Sequence, residues 1–132
     1  MSGAPADQRR RLILVAEDDP AIRVLLEKAL GTRYRVESAI DGPTAFARLS
    51  APGKPTPDLF LCDVMMPGFD GVTVAKKMRG VPALKNVPII FLTAKGGPKD
   101  VIAGIQAGAK HYVTKPFVIS DLLAKVAKVL GG

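Results

Sequence analysis

Short apolar runs alternate with amphipathic stretches along most of this chain. Runs such as Leu12–Ala16 (LILVA) and Leu59–Cys62 (LFLC) are typical of strands buried on both faces of a sheet. The same pattern, weaker in places, predicts five strands in all. They are Leu12–Ala16, Arg35–Ser38, Leu59–Cys62, Ile89–Leu92 and His111–Val113.

A stretch with helical spacing follows each predicted strand. In the first of them, Asp19-Pro20 supplies a cap and a first-turn proline. The first helix ends at Gly31 and carries the apolar residues Ile22, Leu25, Leu26, Ala29 and Leu30. The second helix begins at Asp41-Gly42, the third covers about Gly71–Arg79, and the fourth runs from Gly96 to Ala107. The last helix carries Ile119, Leu122, Leu123, Val126 and Leu130. This alternation predicts an α/β fold with a doubly wound, five-stranded parallel sheet.

Length and composition indicate one domain. We expect a disordered basic tail over residues 1–11 and a single folded domain over residues 12–132. The sequence contains no membrane-spanning apolar run, and its polar start does not resemble a signal peptide. The one cysteine, Cys62, lies inside an apolar run, which favours a buried thiol in a reducing cytoplasm.

Polar side chains stand at the ends of four of the five predicted strands. Glu17 and Asp18 follow the first strand and Asp63 follows the third. Thr93 follows the fourth strand, and Lys115 comes shortly after the fifth. Because ligands bind beyond the carboxyl ends of the strands in sheets of this kind, we expect these residues to form one site.

Three carboxylates in one site repel one another unless they share a cation. Mg²⁺ suits them best, since it binds few protein carboxylates and completes its octahedron with water and phosphate oxygens. Asp63 ends a very apolar strand, and a carboxylate there can attack phosphorus to form an acyl phosphate. Lys115 would then hold one phosphoryl oxygen as a point charge, and the Thr93 hydroxyl would donate to another.

Each of these residues also has a simpler interpretation. An acidic pair such as Glu17–Asp18 is favoured by the dipole at a helix start, and we assign Asp19 to capping. Asp63 can be a turn residue at a strand end. Lys115 can be an exposed loop residue, with either isomer of the peptide bond to the proline that follows it.

Four motifs carry a resemblance to a known family: LVAEDDP, LCDVMMPGFDG, FLTAK and YVTKPF, in this order. Through them, residues 11–130 resemble the receiver domain of two-component response regulators of the single-domain chemotaxis type. The resemblance implies a flavodoxin-like fold with strand order 2-1-3-4-5. It also implies that Asp63 is the phosphoacceptor and that Mg²⁺ is bound by Glu17, Asp18, Asp63 and the backbone carbonyl of Met65. Thr93 and Lys115 would bind the phosphoryl group, and Thr93 and Tyr112 would form the switch.

The resemblance further implies a signalling switch. Such a domain accepts a phosphoryl group from a sensor histidine kinase or phosphotransfer domain and catalyses only its own phosphorylation and dephosphorylation. Its output passes through the fourth helix, the fifth strand and the last helix. Because Gly104 lies in the middle of the fourth helix and few large apolar residues anchor it, we expect residues 95–109 to be mobile. Met65 and Lys95 occupy positions that tune the phosphoryl lifetime in the family. Because Met65 cannot hydrogen-bond an attacking water, we expect slow self-dephosphorylation.

Charge is distributed unevenly along the chain. Residues 1–75 carry nine cationic and ten acidic side chains, whereas residues 76–132 carry ten cationic and two acidic ones. This asymmetry predicts a positive surface and a downstream protein with an acidic surface as partner, while homodimerisation through the same face stays an open alternative. The lysines of this predicted surface are Lys95, Lys99, Lys110, Lys125 and Lys128.

Two other classes of function stay open. A phosphohydrolase with an aspartate nucleophile typically has a second aspartate two residues later, where this chain has Met65. The basic charge suggests a nucleic-acid-binding module, but the sequence contains no helix-turn-helix, zinc-ligand pattern or aromatic platform. Nucleotide binding is disfavoured because no glycine-rich loop follows the first strand.

Overall fold

Five parallel strands form one sheet in the part of the chain that the structure, a computed structural model, describes: residues 10–66, 71–94 and 111–131. The strands are β1 Leu12–Ala16, β2 Arg35–Ala39, β3 Leu59–Asp63, β4 Ile89–Ala94 and β5 His111–Lys115. Their order is β2-β1-β3-β4-β5, and all neighbours are parallel. The predicted doubly wound topology is therefore confirmed.

Helices follow β1, β2, β3 and β5. They are α1 Pro20–Gly31, α2 Gly42–Leu49, α3 Gly71–Arg79 and a C-terminal helix, Ile119–Leu130. Within the described ranges, no helix combines the length and apolar character that crossing a bilayer requires. The predicted fourth helix and the expected mobility of residues 95–109 lie outside the described residues, as do residues 1–9 of the predicted tail.

Aspartate caps begin the first two helices. The side chain of Asp19 accepts hydrogen bonds from the amides of Ala21 and Ile22, at 2.9 and 3.3 Å. The side chain of Asp41 accepts a hydrogen bond from the amide of Thr44 at 2.7 Å. Hydrogen bonds from the Thr44 hydroxyl and from this amide lower the pKa of the Asp41 carboxyl group. The predicted starts of both helices are confirmed.

Alternate strand residues point into two apolar layers, one on each face of the sheet. The first layer packs against α2 and α3, and its strand residues include Leu14, Ala16, Phe60, Cys62 and Phe91. The second layer packs against α1 and the C-terminal helix, and its strand residues include Ile13, Val15, Leu59, Leu61 and Ile90. Since the central strands are covered on both faces, polar side chains are accommodated at their ends. Cys62 is buried in the first layer, as predicted for a small apolar side chain.

Four strands extend further than predicted, and the first of them, β2, includes Ala39. β3 includes Asp63, β4 reaches Ala94, and β5 reaches Lys115. The predicted strands ended where the apolar runs ended, but a parallel ladder continues while the neighbouring strand offers backbone partners. Asp63 pairs with Leu92 and Lys115 with Ala94, so both polar residues lie on the sheet.

One large apolar residue of α1 lies outside the buried face of the helix. Leu26 and Leu30 are fully or almost fully buried, whereas Leu25 is 46% exposed. The contact with the sheet is centred on positions 22, 26 and 30, which lie one above another on the helix. Position 25 is turned about 100° from position 26 and therefore faces solvent.

Candidate functional site

The turn after β1 brings two acidic side chains to the carboxyl edge of the sheet. Glu17 is fully buried, and its backbone amide donates to the carbonyl of Ala39 at 3.1 Å. Its Oε2 atom accepts a hydrogen bond from the amide of Asp19 at 3.1 Å. Asp18 is exposed. One carboxylate of the pair is thus held inside the protein while the other faces solvent.

Asp63 is the last residue of β3 and is only 5% exposed. Its Oδ1 atom accepts a hydrogen bond from the amide of Met65 at 3.1 Å. The next residue, Val64, donates to the carbonyl of Leu92 and accepts from the amide of Gly71, at 3.0 and 2.9 Å. Backbone bonds to β4 and α3 therefore fix the chain directly behind the carboxylate.

Lys115 ends β5, and its ammonium group joins two carboxylates. Its Nζ atom lies 2.9 Å from Glu17 Oε1 and 2.9 Å from Asp63 Oδ2. The peptide bond from Lys115 to Pro116 is cis. The simpler interpretation of Lys115 as a loop residue is wrong, because the side chain is half-buried and paired within the site.

Burial and crowding perturb the charged groups of the site. Burial, reinforced by the charge of Asp63, raises the pKa of Glu17 to about 7, although hydrogen bonds from Lys115 and the Asp19 amide oppose this rise. Burial alone would lower the pKa of Lys115, but its hydrogen bonds to Glu17 and Asp63 outweigh burial and raise it. The contact with Lys115 therefore does not fully offset the cost of ionising Glu17 in this site.

The acidic cluster fits a divalent cation. Ligand oxygens of Glu17, Asp18 and Asp63 all lie within 4.8 Å of one another. When ionised, these three carboxylates exceed the single charge of Lys115 by two, which a divalent cation balances. Carboxylate oxygens with an open, solvent-facing side are the donor set that Mg²⁺ uses when waters complete its octahedron. The predicted grouping of these acids is confirmed.

The other predicted site residues lie close to this edge of the sheet or outside the described chain. Thr93 is buried as the penultimate residue of β4, and Tyr112 is half-buried on the edge strand β5. Met65 is 64% exposed, so it does not fill a gap in the core as methionines often do. Lys95 lies outside the described residues. The roles assigned to these residues stay predictions.

A pocket of about 430 Å³ lies between β5 and the C-terminal helix. Tyr112, Phe117, Val118 and Lys125 are among its lining residues. The ammonium group of Lys125 donates to the carbonyl of Tyr112 at 2.9 Å, which ties the helix to the strand. Of the predicted basic surface, Lys125 and Lys128 are exposed, and the other three lysines lie outside the described residues.

The sequence analysis did not identify Arg23 or the full role of Gly71. The guanidinium group of Arg23 reaches the backbone carbonyls of the acidic turn, and a Cβ atom on Gly71 would lie 2.6 Å from the carbonyl oxygen of Asp63. Arg23 was detectable in principle, because a cation in the first turn of a helix opposes the helix dipole. No sequence pattern indicated the close approach at Gly71.

Residues 13–127 match the sequence profile of a family described as Response regulator receiver domain. The chain is 38% identical over 116 residues to the response regulator PleD of Caulobacter vibrioides, and this alignment covers 88% of the chain and 25% of PleD. The chain thus spans about a quarter of the length of this curated relative.

Solved structures with the same fold are similar over almost their whole length. The chemotaxis response regulator CheY4 of Vibrio cholerae has a TM-score of 0.83 and 30% identity, covering 91% of this chain and 98% of that one. The receiver domain of the sensor histidine kinase PA1611 from Pseudomonas aeruginosa PAO1 also has a TM-score of 0.83 and 30% identity, covering 93% and 99%. That structure has a magnesium ion coordinated in its active-site cleft.

Proposed function

Because the chain belongs to the response regulator receiver domain family, we propose that it is a phosphorylation-driven switch whose phosphoacceptor is Asp63. One observation carries this proposal: the ammonium group of Lys115 lies 2.9 Å from the carboxylates of both Glu17 and Asp63, inside a cluster of three acids. A purely structural ion pair would need one carboxylate, not three.

The carboxylate of Asp63 is oriented before any donor arrives. The Met65 amide holds one oxygen and the Lys115 ammonium group holds the other. Such fixation matters because phosphoryl transfer depends mainly on positioning and charge stabilisation. The end of a central strand, bonded to β4 on one side, keeps the nucleophile in place.

In the transfer step, an oxygen of Asp63 attacks the phosphorus of the donor. With a phosphohistidine donor, the new O–P bond replaces the P–N bond, and the imidazole leaves with the electron pair and takes up a proton. Acetyl phosphate reacts in the same way, with acetate as leaving group. The product is an acyl phosphate on Asp63.

Mg²⁺ would be held by Glu17, Asp18 and Asp63, with the backbone carbonyl of Met65 as a further ligand. When bound, it supplies positive charge that reduces the repulsion between the carboxylate and the incoming phosphoryl group. Lys115 then changes partner from carboxylate to phosphoryl oxygen, which its flexible side chain allows. The Thr93 hydroxyl donates to a second phosphoryl oxygen.

Phosphorylation would be transmitted through β5 and the C-terminal helix. Engagement of Thr93 draws the Tyr112 ring inward, next to the pocket that β5 and this helix form. The changed surface binds a downstream protein with an acidic surface, helped by Lys125 and Lys128. A sensor histidine kinase or phosphotransfer domain in the cytoplasm supplies the phosphoryl group. The protein is not a turnover enzyme, since it catalyses only its own phosphorylation and dephosphorylation.

Intact-mass analysis after incubation with acetyl phosphate and Mg²⁺ tests this proposal. We expect one added phosphoryl group on the wild type and none on Asp63→Asn. Asp58→Asn is a matched control, because Asp58 precedes the same strand at its opposite end and accepts a hydrogen bond from the Leu12 amide. Equal labelling of Asp63→Asn and wild type would refute the assignment of the phosphoacceptor.

A further inference from the structure

Arg23 reaches from the first turn of α1 onto the backbone of the acidic turn. Its Nη1 atom donates to the carbonyl oxygen of Glu17 at 3.0 Å and to that of Asp18 at 3.5 Å. A positive charge in the first turn of a helix is unfavourable to the helix dipole. The stability of α1 therefore does not explain an arginine at this position.

The peptide unit between Asp18 and Asp19 is held at both ends. Its carbonyl oxygen accepts from Arg23, and its N–H group donates to Glu17 Oε2 at 3.1 Å. The other oxygen of Glu17 accepts from Lys115 at 2.9 Å. One peptide plane thus connects the guanidinium group to the buried carboxylate, and rotation of this plane would turn its N–H group away from Glu17.

We propose that Arg23 is a positioning residue for the acidic cluster, which holds Glu17 and Asp18 in the orientation that binds Mg²⁺. The inference rests on the proposed function, because it concerns the same cation site. Arg23 acts through the backbone and does not touch the cation. Mutation of partners that orient metal ligands typically costs about 10–100-fold in metal affinity.

Positioning and simple charge predict opposite effects of removing the guanidinium group. Arg23 carries a positive charge beside a site for a cation, so if charge alone mattered, its loss would tighten Mg²⁺ binding. If Arg23 positions the ligands, its loss weakens binding despite the reduced repulsion. The sign of the change therefore separates the two explanations.

The test measures Mg²⁺ dissociation constants of wild type, Arg23→Gln and Arg23→Lys without a phosphodonor. The amide resonances of Asp18 and Asp19 report binding in an NMR titration at constant ionic strength. We expect Arg23→Gln to bind about tenfold more weakly and Arg23→Lys, which keeps the charge and a donor, to lose less. Arg33→Gln is the control, since Arg33 is exposed beyond the opposite end of α1.

Labelling by acetyl phosphate adds a second readout. Arg23→Gln should need more Mg²⁺ for half-maximal labelling but reach the wild-type rate at saturating Mg²⁺. The inference would be overturned if Arg23→Gln bound Mg²⁺ with wild-type affinity or more tightly. A lower melting temperature of Arg23→Gln with unchanged Mg²⁺ affinity would also overturn it. If Arg23→Gln does not fold, wild-type affinity in Arg23→Lys overturns it and weaker binding supports it. A wild type that neither binds Mg²⁺ nor is labelled would overturn the proposed function and this inference together.

Discussion

Individual residues of the site carry charges that the surrounding protein disfavours. Glu17 is fully buried, and its raised pKa of about 7 reflects the free energy needed to ionise a carboxyl group away from water and beside Asp63. Lys115 offsets part of this cost by contacting both acids. A residual negative charge in a fixed geometry is what makes the site suited to a cation.

Met65 provides a prediction about the lifetime of the phosphorylated state. Its exposed side chain cannot orient a water molecule, so Met65→Asn should speed dephosphorylation. A neutral hydrogen bond contributes about 1 kcal/mol, which corresponds to roughly fivefold in rate. The decay of the phosphorylated protein, followed by intact mass after removal of acetyl phosphate, measures this effect. Met65→Leu serves as the apolar control, and equal decay of Met65→Asn and wild type would contradict the role assigned to Met65.

At the scale of elements, the start of α3 packs unusually close to the end of β3. A Cβ atom on Gly71 would lie 2.6 Å from the carbonyl oxygen of Asp63 and 2.8 Å from the Cys62 sulfur. The amide of Gly71 donates to the carbonyl of Val64 at 2.9 Å, which holds the helix in this place. The absence of a side chain at Gly71 therefore sets the distance between the helix and the strand that carries Asp63.

Replacing Gly71 by alanine should disturb both stability and the site. Backbone atoms must shift to admit the methyl group, and overpacking of this kind costs about 1–3 kcal/mol. Urea denaturation should show a lower midpoint for Gly71→Ala, with reduced labelling by acetyl phosphate. Gly80→Ala is the matched control, because its nearest neighbour would be the Lys77 carbonyl oxygen at an ordinary 3.5 Å. Equal midpoints for wild type and Gly71→Ala would show that the close approach is unimportant.

For the whole molecule, the parallel sheet gathers acids from two strands at one edge. Because β1 and β3 are neighbours whose following helices, α1 and α3, lie on opposite faces, their ends flank the crevice in which doubly wound sheets bind ligands. The acidic cluster thus joins separate parts of the chain, and a cation bound there should stabilise the fold as a unit.

Mg²⁺ should raise the free energy of unfolding of the intact protein. At a hundred times the dissociation constant, the increase should be about 2.7 kcal/mol. Asp18→Asn should abolish most of this increase while leaving the metal-free protein almost unchanged, since Asp18 is exposed. Urea denaturation at constant ionic strength measures both effects, with Asp121→Asn as a control on another exposed acid. If Mg²⁺ raised the free energy of unfolding of Asp18→Asn as much as that of the wild type, the cation would bind at another site.

Much of this architecture was predictable from local patterns. β1 was predicted with its observed bounds, and the starts of α1 and α2 followed from their aspartate caps. The ends of β2, β3, β4 and β5 were missed, because hydrogen bonding to a neighbouring strand, rather than apolar character, decides where a parallel strand stops. The exposure of Leu25 did not follow from helical spacing, because it depends on which side of α1 meets the sheet.

Local sequence patterns were enough to predict the succession of strands and helices and the polar residues at the strand ends, because periodicity and caps act over a few neighbouring residues. The contacts of Lys115 with Glu17 and Asp63, which lie 98 and 52 positions away along the chain, are seen only in the folded protein. Contacts of this kind depend on distances set by the packing of whole elements, and no local pattern encodes those distances.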